Sequence, residues 1–291
     1  MKTVVFDERR NILGEGPTAT GTMNELITWV DIYGRKVRSR HIGTGAISEY
    51  ETFEDVSFAI PRISGGEVIG TSGGPLLRDA DGTLHKLPTR EDADGFKSSH
   101  MLRWNDAKVS PQGDLFLGSM AYDFMTNAAA LYQMRKGEEN LRRLFGDVTI
   151  SNGLGWTVDG TTMFYIDSPL HRVDIFDVED HEVKNRRTLV HFPESMGSPD
   201  GMCVDANDNI WVAFWLGQAV RCFDGKDGKL LAEISCSAPR ITSCAFGGEN
   251  LDQLIITSAS EDTDLLKYPE AGMIFIASPG VVGQQTMLFG A

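Results

Sequence analysis

No stretch of this 291-residue chain is apolar for the roughly 18 residues that a membrane-spanning helix needs, so a helical membrane protein is excluded. Basic charge is in short supply. Lys and Arg number 27 against 41 Asp and Glu, a formal net charge of −14. Such a chain has no electrostatic footprint for nucleic acid and is repelled by anionic lipid. Cysteine is scarce: Cys203, Cys222, Cys236 and Cys244 all lie in the last third, with no Cys-x-x-Cys spacing. The opening Met1-Lys2-Thr3-Val4-Val5-Phe6-Asp7 brings charge too early for a secretory apolar region. Reduced, buried thiols and a cytoplasmic location are therefore expected. The six histidines show no His-Glu-x-x-His zinc motif, although His100 stands close enough to Arg103 to edge a pocket there. Walker-type glycine loops are missing, and convincing amphipathic helices are few.

Glycine and short β-prone runs take their place. The 31 glycines spread along the whole chain, and 41% hydrophobic with 23% charged residues suits a soluble folded protein. Six runs stand out, each bounded by Gly, Asn or Asp: Leu26–Asp31, Glu67–Thr71, Leu115–Ser119, Met163–Asp167, Ile210–Phe214 and Leu254–Ser258. Their ends are separated by 40, 48, 48, 47 and 44 residues. A period in the mid-forties is the length of a four-stranded propeller blade. One blade cannot bury both faces of its sheet, whereas a closed ring of blades can. The spacing predicts an all-β six-bladed β-propeller with four-stranded antiparallel blades around a central channel, one domain over residues 1–291. The first strand, Lys2 to Phe6, is expected to fasten the ring by pairing with the last blade near Gln284 to Phe289.

A polar residue, usually followed by a small one, recurs 14 to 16 residues before the end of five of the runs: Glu15-Gly16, Asn105-Asp106, Asn152-Gly153, Asp200-Gly201 and Ser243-Cys244. At equal phase in successive blades these side chains would meet at one mouth of the channel. Carboxylates and carboxamides facing one another are costly to desolvate unless a cation lies between them. Oxygen ligands favour one divalent metal ion, Ca²⁺, Mg²⁺ or Mn²⁺, with Zn²⁺ also admissible. The competing reading is that Asn, Asp and Gly serve only as turn residues at strand entry.

These same positions carry a resemblance. Leu13-Gly14-Glu15-Gly16-Pro17, Arg103-Trp104-Asn105-Asp106 running to Gly118-Ser119-Met120, Ser151-Asn152-Gly153-Leu154 running to Asp167-Ser168, and Pro199-Asp200-Gly201-Met202 are similar to motifs of one family. It is the gluconolactonase, regucalcin (senescence marker protein) and luciferin-regenerating enzyme family of six-bladed propellers. The resemblance implies a divalent metal held by Glu15, Asn152 and Asp200, and substrate contacts from Arg103, Asn105 and Asp123. It also implies a hydrolase that opens a sugar (aldono-)lactone to the free acid, with a small-molecule lactone as its partner. Asp200 would serve as ligand and general base, a metal-bound hydroxide being the alternative. Tyr122, and Thr18-Ala19 after Gly16-Pro17, depart from the family pattern.

Two other functional classes compete with the lactonase. One is a hydrolase of other esters or phosphotriesters at the same site; the other is a non-catalytic cation-binding propeller. Gly70-Thr71-Ser72-Gly73-Gly74 fits the serine-hydrolase elbow, but Pro75-Leu76-Leu77 follows where a helix should begin. Trp29 and Trp211 read as blade core, whereas Trp104 could be core or could stack on a sugar ring. Glu91-Asp92-Ala93-Asp94 and Glu179-Asp180-His181-Glu182 read as solvated acidic loops.

Overall fold

The six β-prone runs fall on the second strands of six four-stranded antiparallel sheets in the computed structural model, which describes residues 1–94 and 99–290. Those second strands are Leu26–Asp31, Glu67–Thr71, Leu115–Ala121, Thr162–Asp167, Ile210–Trp215 and Gln253–Ser258, almost wholly buried. Burial on both faces explains why they read as continuous apolar runs rather than alternating ones. Each is preceded by the first strand of its blade: Gly14–Thr20, Val56–Pro61, Leu102–Val109, Ser151–Trp156, Ser198–Val204 and Ile241–Gly247. Every first strand touches the first strands of both neighbouring blades, and the sixth touches the first. These six strands therefore surround the central channel.

The blades adhere through apolar surface. Each of six hydrophobic clusters joins residues of two adjacent blades. Val30 meets Val56 and Ile69, and Phe58 and Val68 meet Trp104 and Tyr132. Phe116 and Leu131 meet Leu154 and Tyr165, while Phe164 and Ile166 meet Met202 and Phe214. Trp211 and Val220 meet Phe246 and Phe275, and Ile255 and Ile274 meet Ile27 and Trp29. Each large side chain buried this way contributes about 1.5–3 kcal/mol. Trp29 and Trp211 are core, as expected. Trp104 is core too: fully buried, edge-on to Tyr132 and covered by the Arg90 guanidinium, so it has no face for a sugar.

The N-terminal strand closes the ring, but on a different partner from the one expected. Val4–Asp7 pairs antiparallel with Ile274–Ala277 and becomes the outer strand of the sixth blade. The segment from Gln284 to Phe289 instead crosses the channel. Gln284 donates to the carbonyls of Trp156 and Asp205, while Phe289 is buried and bonds the Pro61 carbonyl through its N–H. This tail lines a small cavity with the later residues of the inner strands, among them Lys108, Val204 and Phe246. It stoppers the end of the channel opposite the strand starts.

The remaining local readings resolve simply. Gly70 to Gly74 forms a hairpin turn between Glu67–Thr71 and Gly74–Arg78, without the helix a nucleophile elbow needs. Residues 91–94 belong to a short helix, Arg90–Asp94, rather than the loop expected. All four cysteines are free and buried. Among the described residues no helix is long and apolar enough to cross a membrane.

Because residues 1–6 supply the closing strand and Phe6 packs on the interface between the sixth and first blades, their deletion should cost at least about 3 kcal/mol of stability. Thermal unfolding of the truncated chain checks this; an unchanged midpoint would contradict closure by that strand.

Candidate metal and active site

A β-bulge interrupts every inner strand at the phase where the polar residues sit. Pairing with the second strand shifts between Glu15 and Thr18, Val56 and Ala59, Trp104 and Ala107, Asn152 and Leu154, Pro199 and Met202, and Ile241 and Ser243. A bulge releases residues from the ladder and re-aims their side chains. Asn105, Asp106 and Asp200 lie within these interruptions, and Glu15 and Asn152 border them. The small residue that follows has a steric cause in two cases. A Cβ on Gly153 would come within 2.9 Å of the Asp200 carbonyl oxygen, and one on Gly201 within 2.6 Å of the Ser243 Cβ. Neighbouring inner strands thus approach closely beside the polar side chains.

Five of the six expected site residues line one cavity of about 460 Å³ at the start of the inner strands: Glu15, Arg103, Asn105, Asn152 and Asp200. A hydrogen-bonded chain joins four of them. Arg103 donates to the Asn105 Oδ1 at 2.6 Å, and Asn105 donates to the Asn152 Oδ1 at 3.0 Å. The Asn152 amide donates to the Ser168 Oγ at 2.9 Å and also hydrogen-bonds Asp200. Asn105 further reaches the Ser151 carbonyl at 2.8 Å, so the chain ties the third blade to the fourth. Glu15 is fixed by its own turn, its Oε2 accepting the Gly16 N–H at 3.0 Å.

Asp123 is not brought to the cavity. It is exposed and bonded to His100 Nδ1 at 2.8 Å, and the left-handed turn at Phe124 sends that next residue to the cavity wall in its place. His100 is likewise absent from the wall. Tyr122 points away and donates to Asp55 at 2.8 Å. At the bulge of the second blade, Ser57 donates to the Trp104 carbonyl and does not line the cavity.

Burial dominates the electrostatics of this site. Burial pushes the Glu15 carboxyl up from its ordinary 4.5 to about 8, with the nearby Asp106 charge adding to the effect. Asp200 is raised well above the ordinary range, first by burial and then by Glu15 and Asp106. Asp106 is itself raised by burial, relieved in part by Lys108 and by the Ala107 N–H. Glu15 and Asp200 thus face each other at the channel mouth, Asp106 on the tail side of the channel adds its charge to both, and Arg103 is the cation that lowers them. Among the described residues no group of three His, Cys, Asp or Glu side chains is near enough to hold a metal ion. The set available is two carboxylates and the Asn152 carboxamide. All three are hard oxygen donors, the two carboxyl groups held above their ordinary pKa mainly by burial, and the set fits a divalent cation.

Several wall residues carried no periodic signal. Asp106, the neighbour of Asn105 in the sequence, lines the tail-side cavity instead. Tyr33, Phe124 and Trp215 supply aromatic surface, and Ser168, His171 and Glu261 supply polar groups. Tyr33, Phe124, His171 and Glu261 follow strand ends or lie in loops, where no 45-residue phase constrains them.

Comparison with known proteins follows the same outline. The SMP-30/gluconolactonase/LRE-like region matches residues 13–260. Regucalcin of Danio rerio is 35% identical over 284 residues, which span 95% of this chain and 94% of that protein. The Bacillus subtilis protein YvrE, provisionally named a sugar lactone lactonase, is 33% identical over 298 residues and 99% of each chain. The crystal structure of a calcium-binding protein, regucalcin, from Agrobacterium tumefaciens superimposes with a TM-score of 0.91. It is 26% identical and covers 100% of this chain and 99% of its own.

A carboxyl with a raised pKa stabilises the fold below its unfolded value and loses that contribution as pH rises through its folded value. Without divalent metal, the melting temperature should therefore fall between about pH 5 and pH 8.5 through Glu15 and Asp200. Calcium should raise it by at least about 3 °C at pH 8.5 and by less at pH 5, since protons compete for the same oxygens. The Glu15→Gln variant should show a flatter metal-free profile and lose the calcium response. A wild-type profile indifferent to both pH and calcium would contradict this electrostatic account.

Proposed function

The chain belongs to the SMP-30/gluconolactonase/LRE-like family, and we propose that it uses one divalent cation to hydrolyse a sugar lactone to the free aldonic acid. The family supports a lactonase activity. One observation carries the finer reading: Glu15 and Asp200, remote in sequence and both raised in pKa, meet Asn152, Arg103 and Asn105 around a single cavity. A purely structural channel would not need buried carboxylates, a guanidinium and two carboxamides at one mouth. Calcium leads the candidate cations, because the donors are all oxygen and the similar Agrobacterium protein is described as calcium-binding.

Glu15, Asn152 and Asp200 would hold the ion. When bound, it would supply Lewis-acid polarisation of the lactone carbonyl. Asp200 takes a proton from water as the water oxygen adds to the carbonyl carbon. The ring C–O bond then breaks, the departing alkoxide recovers the proton, and the product is the open hydroxy acid. Arg103 and Asn105, buried and locked by their mutual hydrogen bond, offer directed donors and acceptors to substrate oxygens. Trp215, Tyr33 and Phe124 give the ring an apolar bed and narrow the access of bulk water. We place Asp123 at the outer approach rather than against the reacting ring. The free cysteines fit a reducing cytoplasmic compartment.

Two measurements test this function. A calcium-supplemented panel of five- and six-membered aldonolactones, followed by acid release, should show turnover, while phosphotriesters should show little. Asp200→Ala should lower lactone hydrolysis at least about a hundredfold. Turnover on phosphotriesters alone, or near-native lactone hydrolysis by a folded Asp200→Ala protein, would overturn the assignment.

A further inference from the structure

His171 lines the same cavity as Glu15 and Asp200 but comes from a loop rather than an inner strand. It caps the short turn Ser168–Leu170 in the left-handed region, φ 47° and ψ 45°. Gly, Asn, Asp and His reach that conformation more readily than other residues. The turn is pinned on both sides. The His171 N–H donates to the Ser168 carbonyl at 3.1 Å, and its own carbonyl accepts the Phe192 N–H at 2.7 Å. Ser168 in turn receives the Asn152 amide, so the ring is anchored to the framework of the candidate metal site.

The imidazole has two unlike edges. Nδ1 is buried and has no hydrogen-bond partner. Nε2 is therefore the ring nitrogen left to exchange a hydrogen bond with a ligand on the fourth-blade side of the cavity. Beside it, Glu15, Asp200 and Glu261 present carboxyl groups, and Arg103 has committed one arm to Asn105 and the Trp104 carbonyl.

We propose that His171 is a specificity-determining substrate contact, hydrogen-bonding through Nε2 to a hydroxyl of a polyhydroxylated lactone. This rests on the lactonase reading.

The test compares a polyhydroxylated aldonolactone with an unsubstituted lactone of the same ring size, using wild type, His171→Phe and His171→Asn with calcium present. In His171→Phe, KM for the polyhydroxylated substrate should rise about tenfold, as expected for one lost hydrogen bond. Its kcat should stay within about threefold, and KM for the bare lactone should not change. Asn tolerates the left-handed backbone and keeps an N–H donor, so His171→Asn should recover KM to within about threefold. Calorimetric binding of a non-hydrolysable polyhydroxy lactam to the metal-free proteins should follow the same order. Equal KM changes for both lactones, a loss confined to kcat, or no rescue by Asn would remove the assignment of His171. If wild type opens neither lactone, the lactonase reading itself falls, and the inference with it.

Discussion

The site rests on an electrostatic conflict that the fold creates and does not resolve alone. Glu15 and Asp200 are held together where burial resists their charge, Asp106 stands close enough to raise both, and Arg103 offsets only part of the repulsion. Such a cluster is unfavourable in a protein with no cation to bind, and the same unfavourable charge makes a strong set of oxygen donors once a cation is present. The propeller can hold the conflict because the stability lies elsewhere, in six apolar interfaces between blades.

That separation runs strand by strand. Second strands are apolar on both faces and form the wheel, whereas first strands carry the polar side chains of the candidate site and are each bulged where these sit. Bulges free Asn105, Asp106 and Asp200 from the sheet ladder, and glycine at 153 and 201 lets neighbouring strands approach. Hydrogen bonds between blades, such as Asn105 to Asn152 and Thr242 to the Gly14 carbonyl, then fix the mouth. Closure by Val4–Asp7 supports the site indirectly, since it completes the sixth blade, which packs against the strand bearing Glu15.

Much of this was legible in the sequence, for a definite reason. A repeat near 45 residues marks the strand with the least freedom, the buried second one, and counting back from it reaches the bulge. Glu15, Asn105, Asn152 and Asp200 were found that way. Asp123 was carried by resemblance alone, and the left-handed turn at Phe124 puts it outside the cavity. The closing strand was foreseen but not its partner, because the tail from Gln284 to Phe289 is β-prone yet bonds to loops and strand ends across the channel. His171, Trp215 and Glu261 left no sequence signal, since wall residues drawn from loops and strand ends share neither period nor neighbourhood.

The claim that the three oxygen-bearing side chains share one ion can be examined directly by anomalous X-ray diffraction from crystals grown with Mn²⁺. The account predicts a single strong anomalous peak at the start of the inner strands, within coordination distance of Glu15, Asn152 and Asp200 together. A peak on the surface acidic loops, or none in the channel at saturating Mn²⁺, would contradict it.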